Sequence, residues 1–387
     1  MIIKNATIIQ NGLEIITDIV IGNESSDELD VQGSYLLNGL VDLNIRPCDE
    51  QISASSLKNI SSSAIKGGVT TVVLMSDLNP SVSNEIVLDY IHSRSKLHSG
   101  AKIKTVLHSV NDEAKLSDIA SLLKGGAVAP YLITTLDNNL TRRVFEYAKM
   151  YSVPIFCQPL DIDLNADGVM HEGEVSARLG LSGISSVAEA VQVAMMIEFS
   201  REFDVEVLFK AISTRRAIEL ISDARENGVR VKSEVSLHHL VLTDEMCDNF
   251  NTYAKIYPPL RDTATKEFLL EALKSGKIDI LTSLQSERSV VFKEVSFFEA
   301  KFGTESIEDI LSLYYTYLVK TDIIDMAELL RLTSVNPSNI LNFKSSDFIL
   351  FNPNRSYKIE NSHSLYNGQE IFGCVEKVWI EGEEVDV

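Results

Sequence analysis

"LLNGLVDLNIRP", residues 36–47, contains the first of eight short β-branched segments that alternate with longer helical patterns. Such alternation is typical of repeated βα units over a parallel sheet. The eight segments are 39–45, 69–75, 102–110, 127–133, 153–159, 205–212, 229–235 and 278–284. They predict an α/β fold with a (β/α)8 TIM barrel, and an open doubly wound sheet is the alternative.

Both ends of the chain break this rhythm. They show alternating strand patterns with hairpin turns at Asn11-Gly12 and Asn367-Gly368. We therefore expect residues 1–37 and 345–387 to form one small β-sandwich domain, and residues 38–344 to form the barrel.

Composition excludes several classes of partner. With 35 basic and 55 acidic residues, the net charge of −20 repels phosphate backbones and anionic membrane surfaces, so nucleic acid is not expected. No apolar run approaches the roughly 20 residues of a membrane span. Cys48, Cys157, Cys247 and Cys374 lie far apart and form no C-x-x-C pair, which favours a reducing compartment. We expect a cytoplasmic protein without a membrane partner.

Five segments carry a family resemblance. "NGLVDLNIRP" (38–47) resembles the cyclic-amidohydrolase strand P-G-hydrophobic-V-D-x-H-x-H. Further motifs follow in the family's order at 171–190 (HEGEVSARLGLSGISSVAEA), 234–245 (EVSLHHLVLTDE), 255–262 (KIYPPLRD) and 276–287 (GKIDILTSLQSE). Over essentially its whole length the sequence is similar to the dihydroorotase family.

The resemblance implies a zinc-dependent hydrolase. In such enzymes one or two zinc ions, held by histidines and carboxylates, activate a water that attacks a cyclic amide, and a barrel aspartate moves the proton. The two histidines of the first strand correspond here to Asn44 and Arg46. An amide is a poor zinc ligand, and a guanidinium has no free lone pair to offer.

The other chemical positions are also replaced in this comparison. The histidines of the fifth and sixth strands correspond to Gln158 and Ala211, and the catalytic aspartate corresponds to Leu284. The bridging acid of the fourth strand falls at Tyr131 or Leu132. We therefore expect no bound zinc and no catalytic residue in this chain.

The substrate contacts implied by the resemblance differ as well. The family's substrate-binding arginine and two asparagines fall at Cys48, Asp77 and Tyr257. A carboxylate such as Asp77 would repel the anionic dihydroorotate that an amide would bind. A residual pocket is expected to contain Arg46, Asp77, Asp161, Tyr257 and Arg261.

Two open hypotheses concern this pocket. Arg46 either pairs with a retained acid, which is Asp161, Asp42 or Asp77, or reaches solvent through the barrel mouth, because a buried unpaired guanidinium is too costly. A thiolate nucleophile at Cys48 or Cys157, with His238 or His239 as its base, is the other hypothesis. Packing roles explain those cysteines and histidines more simply.

These observations predict a dihydroorotase-like protein of pyrimidine biosynthesis that has lost catalysis. By resemblance, some inactive members of this family act as partners of aspartate carbamoyltransferase and help to assemble or stabilise it, and we expect such a scaffolding role and a homo-oligomer. Two alternatives remain: an active cyclic amidohydrolase with a non-standard site, and a metabolite-binding module.

Overall fold

A computed structural model describes residues 1–22, 28–97, 100–134 and 136–387. Residues 23–27 of the predicted β domain lie outside the described residues. Eight parallel strand positions form the barrel, and the third is interrupted at Val106. The barrel strands are β5 (Leu40–Ile45), β6 (Val69–Leu74), β7 (Lys102–Thr105), β8 (Leu107–His108), β9 (Pro130–Ile133), β10 (Ile155–Gln158), β13 (Val207–Phe209), β14 (Val231–Ser236) and β15 (Ile280–Thr282).

The strands pair in chain order around the barrel. One ladder joins β5, β6 and β7, and a second joins β8, β9, β10, β13, β14 and β15. The backbone N–H of Arg46 donates to the carbonyl of Gln285 over 2.8 Å, and Arg46 forms a parallel bridge with Ser286. Because this contact joins the first strand to the last, the sheet closes, and the TIM-barrel prediction is confirmed.

Helices cover the outside of the barrel. They are α1 (Ala54–Lys66), α2 (Glu85–Ser95), α3 (Ile119–Lys124), α4 (Asn138–Tyr151), α5 (Ile162–Asn165), α6 (Glu174–Leu179), α7 (Ser186–Phe203), α8 (Arg215–Glu226), α9 (Leu237–Val241), α10 (Thr263–Lys274), α11 (Val290–Lys293), α12 (Ile310–Tyr314), α13 (Met326–Leu330) and α14 (Asn336–Ile340). Side chains such as Val41, Val73, Phe156 and Leu208 come from different barrel strands and share one buried cluster. The interior of the barrel therefore contains a packed core.

Both termini contribute to a second sheet. Its strands are β1 (Ile2–Gln10), β2 (Leu13–Val20), β3 (Glu28–Asp30), β4 (Tyr35–Asn38), β16 (Phe348–Lys358), β17 (Glu370–Ile380) and β18 (Glu383–Val385). Antiparallel pairing of β4 with β16 joins the two ends of the chain. A buried core in this domain includes Ile3, Leu36, Leu350 and Trp379. The predicted domain of both termini is thus confirmed, and its boundaries at residues 37 and 345 stay a prediction.

Two short elements lie outside the barrel and this sheet. They are β11 (Met170–His171) and β12 (Gly183–Ile184), which pair in parallel beside α6. No helix in the described part of the chain is both long and apolar enough to cross a membrane.

A glycine comparison tests the packing of the terminal sheet. Gly373 in β17 has φ +84°, and an added Cβ would lie 2.0 Å from Cζ of Phe351, whereas Gly12 has φ +78° with nothing within 4 Å. Both alanine variants incur backbone strain, but only Gly373→Ala adds a collision in the core. We expect Gly373→Ala to lower the free energy of unfolding by about 2 kcal/mol more than Gly12→Ala, measured by urea denaturation. Equal losses would contradict this packing.

Candidate functional site

A cavity of about 160 Å³ opens at the carboxyl ends of the barrel strands, the face at which TIM barrels place their active sites. It contains two ion pairs, two tyrosines and several apolar side chains. The lining residues are Arg46, Glu50, Asp77, Tyr131, Ile133, Gln158, Leu160, Ile256, Tyr257, Leu284, Ser286, Arg288, Phe302, Gly303 and Thr304.

Arg46 and Asp77 form a bidentate ion pair in this cavity. Nε and Nη2 of Arg46 donate to the two carboxylate oxygens over 3.0 and 2.8 Å. Nη1 donates to Oδ1 of Asn44 over 3.0 Å, and the Tyr131 hydroxyl lies 3.4 Å from Nη2. Only 13% of the Arg46 side chain is exposed, so the structure favours the acid-paired hypothesis, with Asp77 as the acid. Burial disfavours the charged guanidinium, but Asp77 together with Tyr131 and Glu50 outweighs burial and raises the pKa of Arg46.

Asn44 connects this pair to a second ion pair deeper in the barrel. Its Nδ2 donates to Oε1 of Glu234 over 2.8 Å. The other carboxylate oxygen of Glu234 accepts from Nζ of Lys210, which also donates to the carbonyl of Leu43 over 2.9 Å. We call the residues Lys210, Glu234, Asn44, Arg46 and Asp77 the charge chain. Its two cations and two anions are linked through one amide.

Burial acts strongly on the inner pair. The side chains of Lys210 and Glu234 are both fully buried. Burial lowers the pKa of Lys210 and raises the pKa of Glu234, and the charge of each partner opposes both shifts. Removing one partner of such a pair leaves an uncompensated charge and typically costs about 3–5 kcal/mol.

The other positions that the resemblance assigns to metal binding or catalysis have packing or hydrogen-bonding roles. Gln158 donates from Nε2 to the carbonyl of Lys210 over 3.4 Å. Ala211 and Leu284 are buried and adopt left-handed backbone conformations, with φ of +50° and +54°. Asp42 accepts from Thr282 Oγ1 and from the backbone N–H of Ser283 over 2.6 and 2.7 Å. Asp42 is therefore engaged with the eighth strand and not with Arg46.

The residual pocket that the sequence predicts is only partly assembled. Arg46, Asp77 and Tyr257 line the cavity, and the Tyr257 hydroxyl accepts from Asn165 over 3.1 Å. Asp161 is not a lining residue, because its carboxylate caps α5 through the N–H of Leu164 and accepts from Gln192. Arg261 is likewise absent from the lining.

Arg261 lies buried behind the cavity wall. Its Nη1 donates to the carbonyl of Ile184 over 3.1 Å and lies 3.2 Å from Nδ1 of His171. Its Nε donates to the hydroxyl of Ser213 over 3.1 Å. These contacts give Arg261 a role in holding loops together behind the pocket.

The cysteines and histidines of the nucleophile hypothesis do not meet through hydrogen bonds. His238 bridges Tyr366 and the carbonyl of Ser283, and His239 bridges Ser236 and the carbonyl of Pro258. Burial raises the pKa of the Cys48 thiol to about 12 and also raises the pKa of Cys157, so both are neutral thiols near pH 7. This geometry supports packing roles.

Sequence reasoning missed Lys210 and did not assign Glu234 a role. The signal for Lys210 was a single cation at the carboxyl end of the apolar run "VEVLF". A lysine at that position points into the barrel mouth, where an unpaired ammonium would be costly. Its partner could not be read from the sequence, because Glu234 belongs to the next strand.

Comparison with known proteins identifies relatives of this chain. Residues 33–215 match the family model described as dihydro-orotase-like. A dihydroorotase from Thermoanaerobacter sp. (strain X514) is 32% identical over 417 aligned residues, covering 99% of this chain and 96% of that protein. The chain belongs to the dihydroorotase-like family. A dihydroorotase from Acetivibrio thermocellus is 31% identical over 404 aligned residues, covering 98% and 93% of the two chains.

Solved structures of a hydantoinase and a dihydropyrimidinase have the same fold. The L-hydantoinase (dihydropyrimidinase) from Arthrobacter aurescens superposes with a TM-score of 0.88 at 17% identity and covers 99% of this chain and 95% of its own. The dihydropyrimidinase from Brevibacillus agri gives 0.84 at 18% identity, covering 99% and 94%. The chain therefore shares the fold of these two proteins, a barrel with a terminal β-sandwich.

The dihydroorotase-like family implies zinc, and the donor set here does not fit it. Within the ranges that the structure describes, no group of three or more His, Cys, Asp or Glu side chains is arranged to hold a metal ion. Both polar ends of the Asn44 amide are used, since its nitrogen donates to Glu234 and its oxygen accepts from Arg46. Two cations, Arg46 and Lys210, also lie at this end of the barrel and would repel a metal ion.

The outer ion pair can be tested by substitution. Arg46→Met removes the two charged donors of the Asp77 carboxylate and leaves only the Tyr131 hydroxyl at 3.5 Å, so we expect the free energy of unfolding to fall by roughly 1–3 kcal/mol in urea denaturation. Asp77→Asn and the double variant complete a double-mutant cycle, in which a clear coupling energy is expected. Unchanged stability in Arg46→Met would show that the pair contributes nothing.

The buried histidines predict acid sensitivity. Burial lowers the pKa of His238 to about 4, below its ordinary value of 6.5. Between pH 6.5 and 4 the unfolded chain therefore binds a proton that the native state does not, so this stability contribution is lost as the pH falls. Over that range the wild type should lose up to about 3 kcal/mol more than His238→Gln, measured by urea denaturation at each pH. Parallel stability curves would contradict a neutral buried His238.

Proposed function

We propose that this chain is a metal-free member of the dihydroorotase-like family that does not hydrolyse cyclic amides. The charge chain is the observation that carries the proposal. At the strand ends it places Lys210 with Glu234 and Arg46 with Asp77, so the polar groups there neutralise each other and are not free to bind and activate a water.

The cavity offers little for proton transfer. Leu284 stands at the position assigned by resemblance to the catalytic aspartate, and its side chain neither accepts nor donates a proton. Asp77 is paired with Arg46, and Glu50 is paired with Arg288. Burial raises the pKa of both Tyr131 and Tyr257, so neither phenol is poised as a base near neutral pH.

We further propose that the protein acts in pyrimidine biosynthesis in the cytoplasm, as a homo-oligomeric scaffold that stabilises aspartate carbamoyltransferase. Support comes from the full-length similarity to proteins named dihydroorotase. The chain keeps the barrel and the terminal sheet, while the charged groups at the strand ends pair with one another. A surface that binds a partner needs the intact fold, but it does not need free catalytic groups.

Catalysis is tested by metal content and turnover. The purified protein should contain no stoichiometric zinc and should show no ring opening of dihydroorotate, with or without added zinc. An active dihydroorotase assayed in parallel provides the control. Stoichiometric zinc together with turnover would overturn the proposal and support an active amidohydrolase with a non-standard site.

The scaffold role is tested by association. The chain should co-purify with the aspartate carbamoyltransferase of its own organism and raise the temperature at which that enzyme loses activity. An unrelated acidic protein of similar size is the control. Failure to associate at near-cellular concentrations would contradict the scaffold role, even if the protein is inactive.

A metabolite-binding role is the second candidate, and one observation favours it. Arg288 and Thr304 line the cavity, and Nη1 of Arg288 and Oγ1 of Thr304 are buried without a hydrogen-bond partner among the described residues. Buried donors are normally satisfied, so a ligand with oxygen acceptors is a candidate partner for them. A small molecule retained through purification would favour this role over a scaffold.

A further inference from the structure

We propose that Lys210 is a tethered cation that replaces a bound metal as the source of positive charge inside the barrel. The inference rests on the metal-free function proposed above, but it concerns how the barrel is held together and not what the protein does. It also predicts a class of ligand: a small ammonium ion should bind in the space that is left when Lys210 is truncated.

The ammonium group contacts three strands besides the one that carries Lys210. Lys210 follows β13, and its Nζ donates to Leu43 in β5 and to Glu234 in β14. It also lies 4.8 Å from the ring centroid of Phe156 in β10, on a face that attracts cations. One charge thus joins the first, fifth, sixth and seventh strands of the barrel.

The anions around it require a cation. Glu234 and Asp42 are both buried carboxylates, with relative exposures of 0% and 4%. Asp42 accepts hydrogen bonds from Asn44, Thr282 and Ser283, but all three donors are neutral. A buried carboxylate is strongly unfavourable as an anion without an opposite charge, so an ionised Glu234 requires a cation at this position.

Arg46 cannot supply that charge. Its Nε and Nη2 are engaged with Asp77, and its Nη1 donates to Asn44. The guanidinium is planar and its donors are fixed in direction, so it cannot turn toward Glu234 without breaking the outer pair. The inner carboxylate therefore depends on Lys210.

The stem of Lys210 gives this charge a property that a bound ion lacks. A metal ion stabilises the folded state by mass action, so its effect falls when the metal is removed. The ammonium of Lys210 is covalently attached and cannot be chelated. The buried Glu234 carboxylate therefore keeps its cation at every metal concentration.

Chemical rescue tests this assignment. Lys210→Ala should lower the midpoint of thermal unfolding by roughly 4–6 °C, because it leaves the Glu234 carboxylate without its cation. Ethylammonium chloride should restore part of that loss, and sodium chloride at equal ionic strength should not. Lys66→Ala, which removes one partner of an exposed pair with Glu308, is the matched control and should show neither effect.

A second variant keeps the test decisive if Lys210→Ala folds poorly. Lys210→Met combined with Glu234→Met removes both charges, so it should unfold at a higher temperature than Lys210→Ala and should not respond to ethylammonium. The inference is overturned if Lys210→Ala is as stable as the wild type, if ethylammonium acts equally on Lys66→Ala, or if the double variant is the less stable one. None of these measurements depends on hydrolysis or on partner binding, so they are separable from a failure of the proposed function.

Discussion

The buried carboxylate of Glu234 is the constraint on which the barrel mouth depends. Oε1 accepts from Asn44 Nδ2 and from the backbone N–H of Ala211, and Oε2 accepts from Lys210. Asn44 belongs to the first strand, whereas Lys210 and Ala211 directly follow the sixth, so the carboxylate joins these two strand ends. Because a buried anion must keep its partners, a change at any of these positions is felt at the others. The identities of Asn44 and Lys210 are explained together by this requirement.

The backbone at the strand ends has a geometry that is unusual for the side chains it carries. Ala211 and Leu284 have φ of +50° and +54°, a region that costs energy for any residue with a Cβ. Such conformations cluster at functional sites, where surrounding structure enforces them. Here hydrogen bonds from their own N–H groups, to Glu234 and to Thr282 Oγ1, hold both residues in place. The backbone therefore has a conformation that is typical of functional sites, although the residues that adopt it, Ala211 and Leu284, are apolar.

Sequence patterns predicted the fold because the determining signals are local. Eight β-branched runs and two Asn-Gly turns require only neighbouring residues to be interpreted, and they indicated both the barrel and the terminal sheet. The site was predicted less completely. Asp77 was one of three candidate acids for Arg46, and sequence could not rank them, since the choice depends on which strand end lies beside the first strand. Asp161 was expected in the pocket, but a capping interaction with α5 holds it elsewhere.

A tethered cation and a bound metal ion have different consequences for function. A catalytic zinc site keeps one coordination position open for water or substrate, so part of its charge remains available for chemistry. In the charge chain, Lys210, Glu234, Arg46 and Asp77 are matched cation to anion, and the Asn44 amide satisfies the groups between them. This arrangement uses its electrostatic energy to stabilise the fold and leaves little to stabilise a transition state. Under the metal-free function proposed above, such a barrel presents a constant surface, because its stability does not vary with metal supply.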